Sequence, residues 1–290
     1  YLMKVVQLEP NNTQCYAIIA TIHKELRNFK ETLNCYKKIF EFDPNNLMAL
    51  LGAVDLFSKL NLTNLSKNNS HELLEMFLFL YNKNNINHNY IFNNAKNLVI
   101  FEEDKSELES ILNENTNLLS KNIVKVILNK KIFHFILQKS LIRDQFLENF
   151  LYKIRKEILL TCLSENKSQL KEFYDFILSY AEQSFFNEYV FYQSDEEINL
   201  INKLKSKIEK SKEINELEIS ILACYMPLIK SNIIKDKLLN YLPKNKLFSD
   251  LIKAQIKDNL EEQKLKSTIK SNVIVDEISK KVRDQYEENP

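Results

Sequence analysis

Glycine is almost missing from this sequence: of 290 residues only Gly52 is a glycine. Loops that cradle a phosphate or nucleotide need glycine for positive φ and for close approach of the backbone to the ligand. A G-x-G cofactor loop, a P-loop and a nucleophile elbow are therefore excluded from this chain. Proline is also scarce, at five residues. Few glycines and prolines mean few β-turns and hairpins, so an all-α fold is expected. The four cysteines, Cys15, Cys35, Cys162 and Cys224, form no C-x-x-C pair, and each sits in an apolar helical pattern suited to a buried free thiol. Reduced thiols suit a cytoplasmic setting. His23, His71, His88 and His134 are isolated, with no second ligand at metal spacing. The net charge of +1 leaves no excess of Lys and Arg for a phosphate backbone, so no nucleic-acid partner is expected. No apolar run reaches the ~20 residues of a membrane span. The longest, around Leu73–Tyr81, is interrupted by Glu75. With no secretory leader visible, a cytoplasmic protein without a membrane partner is expected.

What is present begins with a repeat. Pro10-Asn11-Asn12 and Pro44-Asn45-Asn46 are the same tripeptide 34 residues apart, the tetratricopeptide period. Between them Tyr16, Ile19, Ala20 and His23 share one helix face at i, i+3, i+4, i+7. Leu33, Tyr36, Ile39 and Phe40 do the same on a second helix, with Asn28 at the turn. The pattern resembles a tetratricopeptide hairpin, with His23 and Thr32 as departures. Leu50, Ala53, Val54 and Phe57 match a further first helix. Ser66, Ser70 and Leu78 then fall where a small residue, an aromatic and a proline belong, so the repeats are expected to end there. Such repeats bury their apolar faces only against neighbours, and Tyr1–Leu8 reads as the second helix of an earlier unit, so more repeats are expected upstream. The resemblance implies a concave groove lined by Gln14, Ala17, Thr21 and Lys24 that takes a protein or peptide partner.

The Asn- and Ser-rich stretch 61–70 reads as a boundary, giving expected units 1–60 (repeats), 61–270 (a larger helical domain) and 271–290. Within the middle unit, helices are expected over 118–138, 144–163, 166–193, 195–210 and 214–230, among others. Three places stand out. Phe185, Phe186, Tyr189 and Phe191 surround Asn187 and Glu188, a carboxylate costly to bury unless paired. Tyr225-Met226-Pro227-Leu228 carries a proline that kinks or ends a helix. The third is 247–262, which holds Gln255, Glu261 and Glu262. The acidic pairs Glu102-Glu103, Glu196-Glu197 and Glu261-Glu262 are sequence neighbours about 100° apart on a helix, so they need not share a site. No catalytic constellation is visible.

The last residues, Val282-Arg283-Asp284-Gln285-Tyr286-Glu287-Glu288-Asn289-Pro290, resemble the segment that leads into the catalytic domain of bacterial tetratricopeptide-repeat proteins carrying a class I S-adenosylmethionine-dependent methyltransferase. The runs 141–148, 187–190 and 225–228, with Arg155, fit that family in the expected order. The resemblance implies the front portion of an enzyme. The cofactor would be held by the parent protein's catalytic domain and none by this chain alone. Asn187, Glu188 and Tyr189 would face that domain, and Gln285, Tyr286, Glu287, Glu288 and Asn289 would lie near its cofactor or substrate. A hinge role for the last segment, a non-enzymatic tetratricopeptide adaptor, and a different repeat-bearing transferase are the open alternatives.

Overall fold

The computed structural model describes residues 2–62, 70–114, 117–164, 167–268 and 276–288, with side chains described to 285 in the last stretch. All regular structure among the described residues is helical. The first four helices are α1 (Leu2–Leu8), α2 (Thr13–Glu25), α3 (Phe29–Phe42) and α4 (Leu47–Lys59), followed by α5 (His71–Tyr81), α6 (Phe92–Val99) and α7 (Glu102–Glu114). Next come α8 (Asn122–Leu128), α9 (Lys131–Lys139), α10 (Gln145–Leu163), α11 (Tyr174–Phe186), α12 (Asp195–Lys210) and α13 (Glu216–Ala223). The last are α14 (Asn232–Leu239), α15 (Lys246–Ile252), α16 (Asp258–Thr268) and α17 (Glu277–Glu288). A π-helical turn at Lys253–Lys257 joins α15 to α16.

Asparagine, abundant in this chain, starts many of these helices. Asn12, Asn28 and Asn46 accept backbone N–H bonds from Cys15, Glu31 and Ala49 at the heads of α2, α3 and α4. Each satisfies a donor that the first turn leaves unpaired. The repeated Pro-Asn-Asn thus places its second asparagine at the head of α2 and again at the head of α4. Of the faces expected from the spacing, Ile19, Ala20, Leu33, Tyr36, Ile39 and Phe40 lie in the core, and Tyr16 and His23 are half-buried. Helix α2 packs on α3, and α3 on α4.

Gly52 sits inside α4, where helix propensity would favour alanine by about 1 kcal/mol. Its reason is contact. A Cβ there would lie 2.4 Å from the Tyr36 hydroxyl oxygen and 2.9 Å from Cζ. Tyr36 is itself buried, so the ring has no easy retreat. Gly52→Ala is expected to lower stability by roughly 1–3 kcal/mol, where an exposed helical glycine would gain. Equilibrium urea unfolding of the two proteins measures it, and a stabilised alanine variant would show that α3 and α4 are not closely apposed.

The core runs without a break from Val6 to Ile256. Phe57 of α4 meets Phe77 of α5 edge-on at 4.8 Å, and Phe40 meets Phe79 at 4.7 Å. Helix α11 is central, packing on α9, α13 and α15, and its Ser179, Gln183 and Ser184 are buried with its aromatics.

Several expected helices divide. The 118–138 stretch breaks at Asn129 and Lys130, where the Lys130 ammonium donates to the carbonyls of Leu98 and Val99 at 3.2 and 2.7 Å, capping the end of α6. The 214–230 stretch leaves the helix at Ala223, ahead of Pro227. The 166–193 stretch begins as a 3-10 segment and ends at Phe186. There Tyr189 N–H donates to Ser184 O (2.9 Å) and Glu188 N–H to Phe185 O (3.1 Å). This double bond pattern normally recruits glycine at the position Glu188 holds. The same cap closes α2, through Asn28 N–H to His23 O and Arg27 N–H to Lys24 O. Arg27, Glu188 and Tyr189 have φ of 56°, 56° and 61°, in the left-handed region where a side chain carries strain. Replacing Arg27 or Glu188 by glycine is expected to raise stability by about 0.5–1 kcal/mol. Thermal melting checks this, and a lowered Tm would place the side chains' own contacts above the strain.

Candidate interaction surface

The residues singled out along the middle of the sequence converge. Arg155 of α10 is 2% exposed and Glu197 of α12 is fully buried, with Arg155 Nη2 3.7 Å from Glu197 Oε1. Glu197 belongs to a reciprocal cap at the head of α12: its carboxylate accepts from Ser194 N (3.0 Å) and Ser194 Oγ (3.1 Å), and its own N–H reaches Ser194 Oγ. The hydroxyls of Tyr152 (3.3 Å) and Tyr225 (3.4 Å) donate to the same carboxylate. The Tyr225 ring lies 4.3 Å from the Arg155 guanidinium. Burial and the neighbouring carboxylate raise the Tyr225 hydroxyl's pKa, so it stays a donor. Glu196, one residue earlier, faces outward and pairs with Lys156 at 2.7 Å. The two adjacent carboxylates thus point apart, as helix geometry requires.

This buried set holds a surface loop. Arg155 Nη2 donates to Tyr192 O at 2.6 Å, and Gln193 Nε2 to Tyr225 O at 3.0 Å. The Tyr189 hydroxyl is buried beside Gln255 of the π-helical turn, whose Oε1 accepts from Leu228 N at 3.0 Å. The three places at 185–191, 223–228 and 247–262 therefore meet at one point. Residues 187–193 are pinned from beneath: the Phe191 ring packs against Tyr180 and lies over the Arg155 guanidinium, while Val190 and Tyr192, with Phe186 at the end of α11, project outward at 77%, 71% and 48% exposed. Across from them, Leu141, Ile142 and Arg143 form the other wall of a groove of about 480 Å³. Glu188 is exposed, because its left-handed backbone turns it out of the helix line, and with Asn187 it forms the turn that caps α11. The loop's exposure was not legible, since Val190 and Tyr192 read as helix until the cap at Glu188 is known.

The expected repeat groove maps to one edge of α2. Gln14 is exposed and Ala17 half-buried. Thr21 Oγ1 donates to Ala17 O at 2.9 Å. Lys24 pairs with Asp55 of α4, which Lys59 also holds at 2.7 Å. The bonds from Lys24 and Lys59 keep the Asp55 carboxyl below its ordinary pKa. Thr21 and Lys24 are thus occupied internally, and Gln14 makes no hydrogen bond among the described residues. At the other end, Gln285 lies on α17, exposed like all of 276–285. Tyr286, Glu287 and Glu288 continue that helix, but their side chains, like all of Asn289, lie outside the described residues.

Among the described residues no group of His, Cys, Asp and Glu could hold a metal ion, and no helix is long and apolar enough to cross a membrane. His134 is occupied, its Nε2 donating to Leu128 O at 2.7 Å, and desolvation lowers its pKa. Cys35, Cys162 and Cys224 are buried free thiols, and burial pushes each well above the ordinary thiol pKa, which keeps them unreactive. Compared with known family models, characterised proteins and solved structures, the chain matches none at a significant level.

Proposed function

We propose that this chain is the recruiting and positioning region of a repeat-bearing S-adenosylmethionine-dependent methyltransferase, and that the methyl acceptor is a protein. The observation that carries the positioning role is the pinned apolar loop of Phe186, Val190 and Tyr192. A rigid, exposed apolar edge is suited to docking another folded surface, because little ordering entropy is lost when it binds. The enzymatic part rests on the sequence resemblance, which assigns Asn187, Glu188 and Tyr189 to the face of a catalytic domain.

The residues present do not fit the cofactor. Gly52, the chain's one glycine, is packed against Tyr36 inside α4, so no glycine loop can hold S-adenosylmethionine here, and no chemical step is assigned to this chain. A non-enzymatic adaptor is the second reading. It is supported by the same exposed apolar edge at Phe186, Val190 and Tyr192, which would dock a partner protein without any catalytic domain.

The complete gene product is expected to bind S-adenosylmethionine in isothermal titration, while residues 1–290 alone give no heat. A photo-crosslinker at position 190 is expected to capture a peptide of the same gene product from outside 1–290. A complete product that gives no heat would leave the adaptor.

A further inference from the structure

A second concavity lies away from the loop at 187–193, where α4, α6, α7 and α10 meet. It encloses about 370 Å³, and Leu60, Asn93, Lys96, Asn97, Asp144 and Phe146 are among its walls. Asn93 is exposed and Asn97 half-buried, four residues apart on α6 and so on the same helix face. Neither makes a hydrogen bond among the described residues, although a carboxamide offers two donors and a twice-accepting oxygen. Their neighbour Asn94, turned inward, already bonds a peptide carbonyl: its Nδ2 donates to Phe57 O at 2.7 Å. The charges around the groove neutralise one another, Lys96 with Asp144 and Lys105 with Glu102. A paired set of charges gives little hold on a phosphate or a metal ion. Ile100 and Leu147 supply buried apolar contact.

We propose that this groove binds an extended peptide segment through its backbone, with Asn93 and Asn97 each pairing with a peptide unit. The spacing carries the argument. Four residues along a helix rise about 6.0 Å, and two residues of extended chain advance about 6.6–6.8 Å. Successive carboxamides on α6 therefore fall in step with every second peptide group of a strand-like ligand. Only an extended segment leaves those groups free, since a helix has already bonded its own. The ligand's side chains then alternate between the apolar contacts and solvent, so recognition tolerates many sequences. The site is separate from the α2 edge and from the 187–193 loop, and it does not depend on the methyltransferase reading.

The test uses the chain as it stands. A phage-displayed random heptapeptide library is selected on it, and enriched peptides are synthesised with fluorescein for anisotropy titration. The Asn93→Ala/Asn97→Ala variant is expected to weaken binding about tenfold or more. Asn97→Asp, which keeps the shape and loses the donors, is expected to weaken it too, and unchanged melting curves confirm that both variants are folded. N-methylation of alternate peptide nitrogens is expected to abolish binding in one register and spare it in the other. The proposal is overturned by a library that yields no binder, or by peptides that hold their affinity within twofold on the double variant. Indifference to N-methylation in both registers, or displacement by a single-stranded oligonucleotide, also overturns it.

Discussion

Truncating either member of the Arg155–Glu197 pair, as Arg155→Ala or Glu197→Ala, is expected to remove about 3–5 kcal/mol of stability. Both side chains are out of water, at 2% and 0% exposure, so a variant lacking one leaves the other charged and unpaired where solvation is poor. More than one bond is lost: Arg155 also serves Tyr192 O, and Glu197 serves Ser194, Tyr152 and Tyr225. The double change Arg155→Met/Glu197→Leu should behave differently. It leaves no orphan charge and refills the volume with apolar atoms, so its stability is expected within about 2 kcal/mol of the parent. It still removes the anchor on Tyr192. Hydrogen exchange across 187–193 is therefore expected to quicken while global stability is largely kept. Urea unfolding combined with exchange mass spectrometry separates the two effects. If each single variant lost less than about 1 kcal/mol, water would be reaching the pair and the loop would have another anchor.

The contribution of Glu182 of α11 to stability is expected to fall as pH rises from about 4.5 to about 7, against the opposite trend from His88 and His134, whose pKa values burial lowers. Desolvation first, and then the Asp250 carboxylate of α15, push the Glu182 pKa from 4.5 up to about 7, against the opposing pull of Lys139. In the unfolded chain this carboxyl ionises near 4.5, whereas in the folded protein it keeps its proton to about 7. Between those values the unfolded state binds fewer protons at this group, so its contribution to stability declines as pH rises. Allowing for partial exposure, the loss is roughly 2 kcal/mol. Glu182→Gln removes the titration. Relative to the parent, the variant should gain stability progressively across this window and stay more stable above pH 7. Unfolding at a series of pH values reads it directly, and parallel profiles for parent and variant would mean that Glu182 is solvated.

Much of the front of the chain was legible because its determinants are local. The 34-residue return of Pro-Asn-Asn marks two helix starts, since an asparagine cap acts within three residues of itself. The periodic face of α3 is buried as the spacing requires, as are Ile19 and Ala20 of α2, while Tyr16 and His23 on the same α2 face are half-buried. The division of the long helices was harder to see. The cap at Glu188 uses a residue type that carries no turn signal, in a chain whose single glycine sits within a helix. The break before α9 depends on Lys130 reaching carbonyls more than thirty residues away.

The sequence by itself determined that this protein is helical, that it carries no glycine-built cofactor loop and where α2 and α4 begin, because composition and short-range periodicity act without long-range contacts. Only the tertiary structure decided which polar residues share an environment. Arg155, Glu197 and Tyr225 are far apart in sequence and become partners through the packing of α10, α12 and α13. That packing pins the loop at 187–193 with Val190 and Tyr192 in water, and it leaves Asn93 and Asn97 without a hydrogen bond among the described residues, at the edge of a groove, while Asn94 is consumed inside. Burial and pairing are properties of distances between segments, and the order of residues along one segment does not contain them.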